Sequence, residues 1–244
     1  MLLPENNFDS SQEPLRSPKH IAILTAVDVE KEAVERGISQ SQARTPLVSD
    51  APSIDVAAVG VGPIEAAARA SSFLAKTQGT YDLVISAGIG GGFRGRAPVG
   101  SVVLATEMVA ADLGVETNGG FQPASELNLA QTRIPCETAL ASAWRKQLVA
   151  TNVEAVLAPV LTLATVTGSK ATADRLAARE PEAAAEAMEG YGVGTAANHY
   201  HIPVLEIRAI SNTVGPRDRE NWQIKEALEA LEQAIQALQE VLTT

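Results

Sequence analysis

VLEIRAISNTVGPRDRENW, residues 204–222, is the stretch whose reading decides the fold. It opens on an apolar run of Val204, Leu205, Ile207 and Ile210, interrupted by Glu206 and Arg208, and passes at once into Ser211, Asn212, Thr213, Gly215 and Pro216. A buried strand that ends in a polar loop is the habit of α/β proteins. Ligands of open α/β sheets collect where strands end at their carboxyl side. Ser211 and Asn212 are therefore candidates for a pocket floor, although both residues also suit an ordinary turn after a strand.

Working outward, the remaining chain alternates short apolar runs with helical patterns. Residues 21–26 (IAILTA), 54–61 (IDVAAVGV), 84–87, 102–105 and 156–166 read as strands. Residues 31–36, 64–75, 135–149 and 171–179 read as helices, and Leu140, Trp144, Leu148 and Val149 fall near one face of the third. Residues 221–242 form the clearest helix, with Ile224, Ala227, Leu228, Leu231, Ile235, Leu238, Val241 and Leu242 in one stripe. Residues 39–53 read as a connection or short hairpin, and 108–121 as an irregular insert. Helical propensity would extend the helix at 171–179 through 182–189, but Pro181 interrupts it. Glu189, Gly190 and Gly192 break the pattern again, and 194–199 reads as helix or loop. The alternation predicts a largely parallel or mixed sheet with helices on both sides.

The glycine run GIGGGF, residues 88–93, is neither a P-loop nor a dinucleotide fingerprint. It lacks the P-loop Lys and Ser/Thr, and Pro98 and Gly100 rule out a following helix. Its glycines serve either a close backbone approach to a ligand or a tight turn.

Bulk properties narrow the function classes. A chain of 244 residues suits one large α/β domain, here residues 20–244. Residues 1–19, rich in Pro, Ser, Asn and Gln, read as a poorly ordered tail without the features of a secretory signal. A formal net charge of −10 argues against a nucleic-acid surface. No apolar run approaches the roughly 20 residues of a membrane span. Cys136 is the only cysteine, which suits a reducing cytoplasm and reads as a small semi-buried hydrophobe. His20, His199 and His201 show no metal-ligand spacing with it, and His199 and His201 read as loop or strand-edge residues. No metal and no organic cofactor is expected.

Three patches then line up in order: TAVDVE (25–30), SAGIGGGF followed by VGSVVLATE (86–107), and AMEG (187–190) about twenty residues before RAISN (208–212). This order resembles the purine nucleoside phosphorylase and nucleosidase superfamily over nearly all of residues 21–242. Within it the chain resembles the hydrolytic branch, which includes the methylthioadenosine/S-adenosylhomocysteine nucleosidases, and most of all the futalosine hydrolases, with ISNTVGPRDRENW weighing most. The resemblance implies a three-layer α/β/α sandwich around a mixed, partly barrel-like sheet, a small-molecule nucleoside substrate, and a homo-oligomer with active sites near the subunit interface. The activity implied is release of hypoxanthine from futalosine on the route to menaquinone. An adenosine-type nucleosidase, a phosphorylase using phosphate, and a catalytically dead nucleoside-binding protein are the other readings.

Breaking a ribosyl–purine bond builds positive charge on the sugar and negative charge on the base. By correspondence with the family, Glu30 would activate water, although an acid at a helix start also simply faces the dipole. Glu189 would accept both ribose hydroxyls. Met188 would pack on the sugar face and Gly90 would line it with backbone. Ser211 and Arg208 would hold Asn212 and Glu189 in place, while Arg208 equally suits a structural ion pair. Asn212 stands where adenine-directed nucleosidases carry Asp. Its amide N–H groups suit the acceptors O6 and N7 of a 6-oxopurine, which it would stabilise by hydrogen bonding rather than protonate. Trp222 suits either the pocket for the 5′ substituent or an anchor for the last helix, with Arg217 or Arg219 in reach of a substrate carboxylate. Two departures from the nucleosidases are Ile89, where they have Ser, and Ala171 and Thr172, where they place an aromatic against the base. Arg94 and Arg96, beside the glycine run, leave phosphate chemistry open, but the charge of Glu30 favours water.

Overall fold

The alternation read from the sequence is realised as a mixed sheet with a closed end. The computed structural model of the protein describes residues 18–44, 51–77 and 80–243. Almost all of the expected N-terminal tail therefore lies outside the described residues. Strands β1 (His20–Thr25), β2 (Ser53–Ala58) and β3 (Leu83–Gly92) alternate with helices α1 (Asp28–Arg44) and α2 (Pro63–Lys76). Strand β4 (Val102–Ala110) leads to a hairpin of β5 (Gly114–Thr117) and β6 (Gly120–Pro123), then to β7 (Arg133–Pro135). Helix α3 (Thr138–Ala150), β8 (Ala155–Thr162), α4 (Lys170–Arg179), β9 (Ala185–Ala187), α5 (Gly190–His199), β10 (Val204–Thr213) and α6 (Ile224–Leu242) complete the order.

Strands β3, β10, β4, β8 and β9 close on themselves. The contacts β3–β10, β4–β8 and β8–β9 are parallel; β10–β4 and β9–β3 are antiparallel. β1 and β2 extend the sheet in parallel from the lower half of β3. Helix α6 packs on α1, α3, β3 and β10, and α5 packs on α2, β3, β4, β8 and β10. This is the three-layer sandwich with a partly barrel-like sheet. The Trp144 indole N–H, wholly buried, donates to the Ala234 carbonyl at 2.7 Å and ties α3 to α6.

Several local expectations are corrected. Residues 39–44 continue α1 instead of starting a connection. The insert at 108–121 is regular, since β4 runs to Ala110 and the hairpin follows. Val149 is exposed on α3, away from Trp144 and Leu148, and Pro135 belongs to β7. The alanine-rich 182–189 segment is not helical. Ala185–Ala187 is a strand, because pairing with β3 and β8 overrides propensity. Gly190 and Gly192 do not break a helix but begin one. Any side chain at Gly192 would run into the Pro63 carbonyl, so glycine is what lets α5 lie against α2. His199 ends α5, so the helical reading of 194–199 holds and the strand-edge reading of His199 does not. The glycine run is strand to Gly92, so close approach, not a tight turn, is its use.

Candidate active site

Strand β10 enters the sheet with Glu206 and Arg208 on one face, since residues two apart in a strand project the same way. Both are sealed from solvent. Arg208 Nε donates to Glu206 Oε1 at 2.8 Å, Nη1 to Glu189 Oε2 at 3.3 Å and Nη2 to Ser86 Oγ at 2.9 Å. Glu206 Oε2 has no hydrogen-bond partner. Glu189 stands immediately before α5, its side chain turned away from the helix amides, and its Oε1 accepts the Gly62 N–H at 3.2 Å. Gly62 holds φ at +89°, a left-handed backbone that glycine adopts freely, and so presents that N–H.

Glu30 reaches the same place from the first turn of α1. Its Oε2 accepts the Ala26 and Val27 amides at 3.0 and 3.3 Å, and its Oε1 the Ile89 amide at 2.9 Å. A Cβ at Gly88 would stand 2.6 Å from Glu30 Oε1 and 2.7 Å from Arg208 Nη1, so the bare Gly88 backbone is what admits both side chains. Burial pushes the Glu30 carboxyl above the usual range, aided by nearby Glu189 and opposed by the Arg208 guanidinium and the Ile89 amide. Burial raises Glu206 in the same way, against the pull of Arg208. Burial works against the charge on Arg208, but Glu206, Glu189 and Glu30 outweigh it and hold its pKa up. Burial thus disfavours the charged form of Glu30 and of Glu206, while the Arg208 guanidinium between them favours it.

The other end of the site lies further along the same strand. Asn212 is half-buried at the end of β10, paired with Gly91. The Ser211 hydroxyl donates to Asn212 Oδ1 at 2.9 Å, with the Gly90 carbonyl 3.2 Å from the same Oγ. Asn212 Nδ2 donates to the Thr213 carbonyl at 3.2 Å, so one of its two N–H groups remains for a ligand. From Ile89, which binds Glu30, to Gly91, which faces Asn212, is two residues of strand, about 6.6 Å. An acid and an amide so spaced can address the two ends of one glycosidic bond. Met188 is half-buried between buried neighbours, and its amide donates to Glu189 Oε2 at 3.3 Å.

The structure thus brings together Glu30, Glu189, Met188, Arg208, Gly90, Ser211 and Asn212. Thr172 lies one loop away in the first turn of α4, where its hydroxyl accepts from Ser169 and Arg175. Trp222 is half-buried outside the core. The Gln223 amide beside it donates to the Ser211 carbonyl at 2.8 Å, which ties this turn to the site. Arg217 and Arg219 are exposed on the same loop. Arg96 is spent on backbone, donating to the carbonyls of Glu180, Ala183 and Ala177, and Arg94 is exposed. Cys136 is buried, and burial raises its thiol. Sequence reasoning missed Glu206, Ser86, Glu186 and Thr167. Its one usable signal was the charged pair at 206 and 208 inside an apolar run.

Residues 23–244 match the phosphorylase superfamily model. The chain belongs to the phosphorylase superfamily. Among curated members of the superfamily it is 46% identical over 231 residues to a futalosine hydrolase of Streptomyces coelicolor, covering 91% of this chain and 96% of that one. It is 39% identical to a futalosine hydrolase of Acidothermus cellulolyticus, covering 88% of each chain. Superfamily architecture recurs in a solved methylthioadenosine/S-adenosylhomocysteine nucleosidase of Colwellia psychrerythraea in complex with adenine. Its TM-score is 0.73 at 20% identity, covering 92% of this chain and 96% of that one.

Proposed function

We propose that the chain hydrolyses the N-glycosidic bond of futalosine in menaquinone biosynthesis, releasing hypoxanthine and dehypoxanthine futalosine, with residues 20–244 as one catalytic domain. The observation that carries this reading is an acid and an amide at opposite ends of one glycine strand, in a chain 46% identical to a futalosine hydrolase. Glu30 takes a proton as water attacks C1′, and the bonding electrons leave with the base. Burial raises its pKa above the usual carboxylate range, which makes it a stronger base. Glu189 accepts the ribose hydroxyls with Met188 against the sugar. Asn212 donates to the base as negative charge develops there. Arg208 and Ser211 position Glu189 and Asn212, Gly90 lines the sugar site, and Thr172 and Trp222 flank the base and the 5′ substituent.

A phosphorylase reading finds less support. Arg96 is committed to backbone carbonyls and the pocket end of β3 is ringed by carboxyls, which repel phosphate. We also propose a homo-oligomer. An apolar groove of about 700 Å³ runs beside Gly62 between α2 and α5, lined among others by Pro63, Ile64, Ala67, Leu113 and Tyr191, and Ile64 is 83% exposed. A second copy seated there would shield this surface next to the sugar site. Among the described residues no helix is long and apolar enough to cross a membrane, and with the single cysteine this favours work in the cytoplasm.

The decisive experiment incubates purified protein with futalosine, inosine, methylthioadenosine and S-adenosylhomocysteine, with and without phosphate. Phosphate-independent hypoxanthine release from futalosine is the expected result. Adenine release, or a requirement for phosphate, would overturn the proposal.

A further inference from the structure

One polar row crosses three adjacent strands. Glu186 of β9 pairs with Gly91 of β3, and Gly91 pairs with Asn212 of β10. Paired residues of neighbouring strands project from the same face. A carboxyl and a carboxamide therefore flank a position that has no side chain. A Cβ at Gly91 would lie 3.0 Å from Val214 Cγ2, 3.2 Å from Asn212 Nδ2 and 3.5 Å from Glu186 Cγ, so the amide and the carboxyl both lean toward the glycine, with the buried Val214 methyl between them. β10 reaches this register through an irregularity between Ile210 and Asn212, and bulges of this kind re-aim side chains. Two strand spacings separate the backbones of β9 and β10, about 10 Å, and without a side chain at Gly91 the carboxyl and the amide border the same stretch of β3.

Glu186 is 5% exposed and is held by one residue. Its Oε1 accepts the Thr167 amide at 2.9 Å and its Oε2 the Thr167 hydroxyl at 2.6 Å. A carboxylate has acceptor sites for about four hydrogen bonds, so this one keeps spare capacity. Among the described residues no cation pairs with it, whereas Glu189 and Glu206 share Arg208. Burial pushes its pKa up and the two Thr167 donors pull it down. A buried carboxyl without a counter-ion is costly to maintain, and beside a ligand site that cost marks a functional position.

We propose that Glu186 is the specificity-determining acceptor for the purine N1–H, opposite Asn212 across Gly91; this rests on the nucleosidase reading above. Asn212 has one N–H engaged with the Thr213 carbonyl. The remaining N–H discriminates poorly, because N7 is an acceptor in both 6-oxo- and 6-aminopurines. The two bases differ at N1: a 6-oxopurine carries a hydrogen there, and adenine carries a lone pair. An ionised Glu186 accepts from the first and repels the second. Thr167 fixes the carboxylate in place and anchors the loop between β8 and α4 on that side of the base.

The test measures binding of free hypoxanthine, 1-methylhypoxanthine and adenine by titration calorimetry to the wild-type chain, Glu186→Gln and Thr167→Val. Wild type should bind hypoxanthine at least about tenfold more tightly than either other base. Glu186→Gln, whose amide offers both donor and acceptor, should narrow the hypoxanthine-to-adenine ratio about tenfold, and Thr167→Val by less. Wild-type protein that binds 1-methylhypoxanthine as well as hypoxanthine overturns the assignment without recourse to any variant. So does a folded Glu186→Gln protein with an unchanged ratio; in both cases the hypoxanthine preference, and with it the proposed reaction, survives. Wild-type preference for adenine sinks the 6-oxopurine reading itself, and this inference with it.

Discussion

Arg208 Nε donates to Glu206 Oε1 at 2.8 Å, and neither side chain meets solvent. The pair sets the direction of the guanidinium, whose other two nitrogens face Glu189 and Ser86. Removing one member of a buried ion pair leaves the other charge uncompensated. Arg208→Met should cost about 3–5 kcal/mol of stability, read as a fall in the urea midpoint. Melting that matches wild type would contradict the burial argument.

Gly88 tests the close approach. Alanine there puts a Cβ against both Glu30 Oε1 and Arg208 Nη1. Overpacking of this sort costs about 1–3 kcal/mol. Displacing a reacting group by an ångström costs on the order of 100-fold in rate. Gly88→Ala should therefore fold, melt lower and turn over about 100-fold more slowly, which a thermal scan and a hypoxanthine-release assay together reveal.

Glu30 links activity, stability and pH. Burial raises its pKa above the usual Glu value. Between the unfolded and native pKa values the native state binds the extra proton, so stability falls as pH rises through that window. Glu30→Gln removes this dependence. The variant should be more stable than wild type at pH 7 and lose on the order of 10²–10⁴ in kcat. For wild type, the acid limb of kcat/KM should lie above the ordinary Glu range. Urea titrations at two pH values and a rate profile check both signs.

Ser211 orients Asn212 by donating to its Oδ1 at 2.9 Å, which turns Nδ2 outward. Ser211→Ala frees the amide to flip. KM for the 6-oxopurine nucleoside should rise about tenfold with kcat changed less. Asn212→Asp should move base preference toward adenine, since a carboxylic acid can both accept from the amino group and donate to N7. Competition between hypoxanthine and adenine nucleosides measures the shift.

The strands around the site were legible because buried apolar runs such as 204–210 and 84–87 announce themselves without partners. Glu189 was not, on residue character alone. An Ala/Glu segment reads as a surface helix until β3 and β8 claim it as a strand, and only the family's motif order marked the acid. Thr172 was drawn from motif spacing, and its hydroxyl serves the start of α4. Glu206 was visible only as a charged interruption two residues from Arg208, since nothing local says that the pair will be sealed from solvent beside Glu189 and Glu30.

By itself the sequence determined the layer architecture, the acid after β1 and the amide at the end of β10, because periodicity and strand-end chemistry are local properties. Only the tertiary structure decided that the glycine run is a strand, that four carboxyls converge on its two ends, and that Glu186 and Asn212 face each other across Gly91. Those facts depend on which strands become neighbours and in what register. Pairing of β3 with β9 and β10 joins residues more than ninety positions apart, and barrel closure, not local preference, sets it.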